Sequence, residues 1–442
     1  MSSREIYHFI AKILALGTGP EYILHSSPGD DPPVGTAPHP PKTTSLPDTG
    51  TNGGLTSGTA PPAKSASHPT AGTPGNPLTR TSPHPLPDSG FASDPREIIS
   101  AISRNRVNWK QLVYIASNNF VLQALHLKFL QHGITSFLPG DLAGHLQHVY
   151  DLNLERNKKI LDHCAEINRL LKSHDITPVF MKGAGNIIDG LYSDPGERIM
   201  ADIDILTGPG HMEAAARLLI KEGFSAGEKF DPSRVEAMKH YPGLWREGLP
   251  AFVELHRLPV NIQHSAHFDY ETVASQIRPA AADPSFSVMS DQHKIILSFC
   301  HSQLVHWGHQ HARPPLRDLY DLLLLSMRED PARVFSLYPP FRGKAAGYLR
   351  IMHSTFGISS GFPGELQGRG KILLLRHNIA MKSPPAGRML YRLLRVWRLY
   401  IGIPVRSLFS KNYRLYVRVR LRDPKWHKRN LGISLIGKKQ KN

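Results

Sequence analysis

Residues 179–224 read VFMKGAGNIIDGLYSDPGERIMADIDILTGPGHMEAAARLLIKEGF. The opening is a short apolar run bounded by Pro178 and Gly183, which predicts a strand, and AGNIIDGLY then returns to helical spacing. A turn follows at Asp194, Pro195 and Gly196, where residues that favour bends cluster. ADIDIL is a second strand. After Gly208 and Pro209 the alanine-rich HMEAAARLLIKE is a helix, stopped by Gly223 where a left-handed cap is wanted. AFVELHRL, residues 251–258, supplies one more strand. Strand, helix, strand, helix is the rhythm of an α/β core.

Side chains two apart on a strand point the same way, so Asp202 and Asp204 share a face while Ile203 and Ile205 enter the core. Their mutual repulsion is costly unless a divalent cation lies between them, which favours Mg²⁺ or Mn²⁺. By the same alternation Glu254 and His256 share a face, adding a third carboxylate from a neighbouring strand. The expected metal ligands and catalytic residues are therefore Asp202, Asp204 and Glu254. His256 would orient Glu254, touch the substrate or serve as a structural histidine. Lys182 and Gly183 open a helix straight after a strand, where an ammonium, backbone N–H groups and the helix dipole meet a phosphate. Arg198 is a further candidate at the phosphates.

Lys182-Gly183, Tyr192, the Pro195, Gly196 and Arg198 turn, the Asp202 and Asp204 strand, Ala214 to Ala216 and VELH together resemble the nucleotidyltransferase-like family of the DNA polymerase beta superfamily. The likeness extends from about Pro95 to about Met327. It implies an α+β fold in which a polymerase-beta-like core, a small mixed sheet with helices, is flanked by helical N- and C-terminal regions. It also implies a two-metal site and transfer of a nucleotidyl group from an NTP to an acceptor hydroxyl, with release of pyrophosphate. One position departs: active members of the superfamily usually carry Gly-Gly or Gly-Ser at the helix start, whereas Ala184 follows Gly183 here.

Outward from this block, residues 95–175 form a helical layer whose last helix puts Ile160, Leu161, Cys164, Ile167, Leu170 and Leu171 on one face. The core spans 176–290 and a helical region spans 291–385. Residues 26–94 are a Pro, Gly, Ser and Thr tract with scarcely a large apolar side chain, the composition of a disordered linker. Residues 1–25 have too few apolar positions to fold alone, and read as a small docking helix or as an extension of the linker. Cys164 and Cys300 are the only cysteines and sit among apolar residues, as core positions in a reducing compartment do.

No stretch approaches the roughly twenty apolar residues that span a bilayer, so a cytoplasmic protein is expected. The 442 residues carry a formal charge of +17, which points to an anionic partner: nucleic acid, an anionic membrane surface or a phosphorylated small molecule. That charge gathers in the basic C-terminal region, 386–442. In GRMLYRLLRVWRLYIGI, Leu390, Leu393, Leu394, Trp397 and Ile401 fall on one helical face and Arg388, Arg392, Arg395 and Arg398 on the other. The apolar face is expected to pack on the preceding helices. KNYRLYVRVRLRDPKWHKRN then alternates Arg with apolar residues as a basic strand would.

Two further patterns carry weaker expectations. His301 and His306, five apart in HSQLVHWGHQHARPP, do not share a face of an α-helix, which argues against zinc. Arg317, Asp318 and Asp321 read as the polar side of a helix, paired within it. Two rival functions remain open: a non-catalytic basic protein that keeps the fold and binds nucleic acid or membrane, and a glycosyltransferase that uses the same Asp-x-Asp pair.

Overall fold

The computed structural model describes residues 1–18, 93–227, 230–358 and 366–421. Among these residues seven strands form one mixed sheet: β1 (Val179–Met181), β2 (Asp202–Leu206), β3 (Ser225–Ala226), β4 (Leu244–Trp245), β5 (Phe252–His256), β6 (Ile277–Pro279) and β7 (Ser287–Met289). Their order is β3-β4-β5-β2-β1-β7-β6. β2 runs parallel to β5 and antiparallel to β1, so the three predicted strands lie side by side at the centre. The four outer strands have only two or three residues each, too short for a period-2 signal in the sequence.

The residues predicted to enter the core do so, and parts of the opposite face are buried as well, Asp204 and His256 among them. Ile203, Ile205, Val253 and Leu255 are fully buried, and all of β1 is buried between β2 and β7. A 33-residue helix, Gly140–Lys172, supports the sheet through Leu146, Ile160, Cys164, Ile167 and Leu171. Its polar residues also hold the loops that lead into β2 and β5. Asn153 donates to the Gly196 carbonyl at 2.8 Å, and Asn157 donates to those of Pro195 at 2.6 Å and Arg198 at 2.7 Å. Arg156 donates to the carbonyls of Met200 and Pro250. Both cysteines are buried and unpaired, as core positions.

The N-terminal segment is a helix, Ser3–Leu14, with a capping box formed by Ser2 and Glu5. It docks on the chain's own helices, burying Ile6, Ile10, Ile13 and Leu14 against Trp109–Asn118, Leu122–Gln131 and Arg342–Phe356. Residues 26–92 of the expected linker lie outside the described residues. A second tie is ionic: the buried carboxylate of Asp189 accepts from Arg278 at 2.7 Å, from Lys294, from Arg328 at 2.9 Å and from the Ala281 amide at 2.8 Å. It joins the helix after β1 to β6 and to the helices that follow β7.

The C-terminal region corrects two expectations. Lys411–Leu421 is helical rather than a strand. A strand needs a neighbour to take its backbone hydrogen bonds, whereas the helix satisfies them internally, as where the Arg414 amide donates to the Ser410 carbonyl at 3.0 Å. Residues 422–430 of the alternating segment are outside the described residues. The helix Pro384–Trp397 is amphipathic as expected, but its apolar face is not packed away: Met389, Leu393, Val396 and Trp397 are exposed. Tyr391 stacks on His311 with ring centroids 3.8 Å apart, and Arg398 lies over Trp307 at 4.6 Å. Arg388, Arg392 and Arg395 line the rim of a cavity of about 690 Å³ that Arg313 also lines, and Arg388 and Arg392 remain exposed to solvent.

Candidate active site

The parallel register of β2 and β5 sets Asp204 opposite Glu254, and the antiparallel register of β1 sets Met181 opposite Asp204. Lys182, the next residue, therefore emerges over the carboxylates. Its φ of +51° is unusual for a side chain other than glycine, a strain of about 1–2 kcal/mol of the kind that gathers at functional sites. The Lys182 ammonium donates to Asp204 Oδ1 at 2.5 Å.

Asp204 is also reached by His256, fully buried at the end of β5, whose Nε2 lies 2.8 Å from Asp204 Oδ1 and 3.3 Å from Glu254 Oε2. Both neighbours are carboxylate oxygens, so Nε2 carries the hydrogen. His256 Nδ1 is buried and has no hydrogen-bond partner among the described residues. Burial alone would raise Asp204, but Lys182 and His256 hold it well below the usual carboxylate range. Burial likewise opposes ionisation of Glu254, yet the bond from His256 and the nearby His240 bring it down to about 2. Asp202 behaves differently: burial, then the charges of Glu254 and Asp204, raise it. Two carboxylates are thus held as anions beside a third that resists ionisation, the condition a bound cation relieves.

One ligand atom each from Asp204, Glu254 and His256 lies within 4.8 Å of the others. The two carboxylates suit a hard divalent cation, and His256 Nε2 could join them only by giving up its hydrogen, a nitrogen donor that Mn²⁺ tolerates better than Mg²⁺. Asp202 stands outside this compact group, although its carboxyl feels both acidic members. His256 was visible in the sequence only as a neighbour of Glu254. His240 and Lys239 gave no sequence signal, since they come from an irregular stretch brought to β5 by the His240–His256 bridge. His240 Nε2 lies 3.7 Å from Glu254 Oε2. Burial lowers His240 to about 4, and burial with the nearby Lys182 charge lowers Lys239 to about 8.

Gly183 lies against Met200, where an added Cβ would meet Cγ at 3.0 Å. Ala184, which follows Gly183 in the helix, is fully buried. Gly185 is the stricter requirement, because a Cβ there would fall 2.3 Å from the Phe180 carbonyl oxygen. Arg198 lines a small cavity together with Lys182, but its guanidinium is engaged by Asp321 at 2.8–3.1 Å, and Tyr192 donates to the same carboxylate at 2.8 Å. Asp321 is therefore paired across the fold, not within its helix. Asp318 pairs with the adjacent Arg317 at 3.2 Å.

The histidine-rich stretch holds a second surprise. Cys300–Val305 is a π-helix, and its wider turn brings residues five apart onto one side. His301 and His306 consequently have ring centroids 4.3 Å apart, where an α-helix would have separated them. His301 lines the cavity beside Lys182, and burial, then the Lys182 and His306 charges, hold it well below its usual value. The metal-ligating group found among the described residues does not include either histidine.

Residues 105–350, more than half of the chain, match the sequence profile of a family described as uncharacterised nucleotidyltransferases. The chain belongs to this family. Searches of curated proteins and of solved structures returned no match. The family match covers the helices 109–172, the whole sheet, the π-helix with His301 and the following His306, so the site built above lies within the matched region.

Proposed function

We propose that the protein transfers an NMP group from an NTP to an acceptor hydroxyl, releasing pyrophosphate. The acceptor oxygen forms a bond to the α-phosphorus, the bond from that phosphorus to the α–β bridging oxygen breaks, and the hydroxyl proton passes to a base. The observation that carries this reading is the pairing of Asp204 with Glu254 across parallel strands, with Lys182 delivered over them by the adjoining strand.

Asp204 and Glu254, with Asp202 and His256 beside them, would hold Mg²⁺ or Mn²⁺. Such a cation neutralises the triphosphate and favours ionisation of the attacking hydroxyl. Lys182 exchanges its contact with Asp204 for the incoming phosphates, so the same ammonium balances the carboxylate before substrate arrives and the substrate afterwards. The Gly183 amide at the helix start donates to a phosphate oxygen, without the hydroxyl that a serine at Ala184 would have added. His240, 3.7 Å from Glu254, is kept neutral by burial and lines the same side of the site.

The test is label transfer from α-labelled NTPs in the presence of Mg²⁺ or Mn²⁺, with cell extract as a source of acceptors. Wild type is compared with the Asp202→Ala, Asp204→Ala double variant, and Mn²⁺ binding is followed separately. Metal-dependent transfer lost in the variant supports the reading. Wild-type protein that binds neither metal nor NTP overturns it.

A further inference from the structure

The C-terminal helices present a surface that the transferase reading does not use. Along Pro384–Trp397, the π-turn Arg398–Gly402 and Ile403–Phe409, the exposed side chains Met389, Leu393, Val396, Trp397, Tyr400 and Ile401 recur at helical spacing. Val405, Leu408 and Phe409 prolong the stripe, Phe409 with 86% of its surface open. Monomeric surfaces rarely tolerate so extended an apolar patch without a partner. Over the described residues 366–421 there are thirteen Lys and Arg and no Asp or Glu.

These two properties together select the occupant. A second copy meeting the same face would set like charges against each other. Nucleic acid would use the guanidiniums but would leave bare leucine, methionine and phenylalanine facing a phosphate backbone. An anionic bilayer takes both: apolar side chains and Trp397 enter the acyl boundary while long basic side chains reach the headgroups. No helix among the described residues is long and apolar enough to cross a membrane, so the contact is with the surface. We infer that the exposed apolar stripe at 389–409, with its flanking arginines, docks this protein on an anionic membrane surface and thereby presents the catalytic domain to substrate there.

The test is flotation of the full chain with vesicles of phosphatidylcholine alone and of phosphatidylcholine containing phosphatidylglycerol. The expected result is recovery with the anionic vesicles only, partly resisting about 0.5 M salt because insertion is apolar as well as electrostatic. Leu393→Glu, Trp397→Glu and Phe409→Glu together should cut the floated fraction about tenfold or more. Circular dichroism should be unchanged, since these side chains are 58%, 54% and 86% exposed. Wild type that ignores anionic vesicles overturns the inference, as does a triple variant that floats normally. Binding of single-stranded RNA by wild type and triple variant alike, with vesicle binding abolished by salt, would assign the surface to nucleic acid. Concentration-dependent dimerisation lost in the triple variant, without vesicle binding, would assign it to self-association.

Discussion

The centre of the sheet and the C-terminal helices handle charge and apolar surface in opposite ways. At the centre, Asp202, Asp204 and Glu254 are gathered with Lys182, Lys239, His240 and the fully buried His256, and the buried Asp204 carboxylate is compensated by Lys182 and His256. Along 389–409 the large apolar side chains face outward and the charges are of one sign. Buried, compensated charge is tied to a single geometry, because removing one partner leaves another uncompensated. An exposed apolar stripe is tied to nothing within the fold. The difference predicts where substitutions will be severe and where the isolated chain will ignore them.

The largest effect is expected at Asp204. Asp204→Asn keeps the shape but removes the charge shared by Lys182 and His256, and turnover should fall by at least about 10³-fold, several kcal/mol of transition-state stabilisation. Asp202→Asn should cost clearly less, because Asp202 lies outside the compact ligand group. Single-turnover rates at saturating Mn²⁺ separate the two; equal losses would mean that the cation is held by the Asp202 and Asp204 pair instead.

Next comes Asp189, a structural counterpart of the same chemistry. Its buried carboxylate balances Arg278, Lys294 and Arg328, and Asp189→Ala leaves these cations facing one another. Loss of about 3–5 kcal/mol is expected in urea unfolding. A loss below about 1 kcal/mol would show that water reaches these cations and that compensation at the centre is less strict than the geometry implies.

The sequence revealed the centre far better than the periphery, for a physical reason. Strands β1, β2 and β5 carry their own evidence: alternation sends Ile203, Ile205, Val253 and Leu255 inward, and the remaining positions must then share a face. That much fixed Asp202, Asp204 and Glu254 as neighbours, and register added Lys182. Lys239 and His240 were invisible because an irregular segment reaches β5 through tertiary contact alone. The α-helical period separates His301 from His306, but the backbone makes a π-turn there and brings them together. On the C-terminal helix, periodicity correctly separated apolar from basic faces but says nothing about which face turns inward; stacking of Tyr391 on His311 decides that.

A smaller, pH-dependent effect distinguishes buried from exposed groups more generally. His293 and His377 are buried, and desolvation lowers both to about 4. In the unfolded chain each takes up a proton below about pH 6.5, while the folded chain stays neutral until about pH 4, so the unfolded state binds more protons between these limits. Stability is therefore intact above about pH 6.5 and falls as pH drops, by on the order of 2 kcal/mol per histidine at pH 5. Urea midpoints at pH 7 and pH 5 measure it, and His293→Gln should make the slope shallower. An unchanged slope would mean that His293 is hydrated in solution.

The smallest effect is expected at the most exposed apolar residue, and it probes the comparison from the other side. Phe409 contributes almost no buried surface, so Phe409→Ser forfeits little of the roughly 1.5–3 kcal/mol that a buried phenylalanine supplies. Unfolding of the lipid-free chain should shift by less than about 0.5 kcal/mol. The same substitution at Phe180, fully buried in β1, should cost about 3–5 kcal/mol. If Phe409→Ser instead destabilises the lipid-free chain by more than about 1.5 kcal/mol, another part of the chain covers the stripe. Membrane binding would then have to begin by displacing that cover.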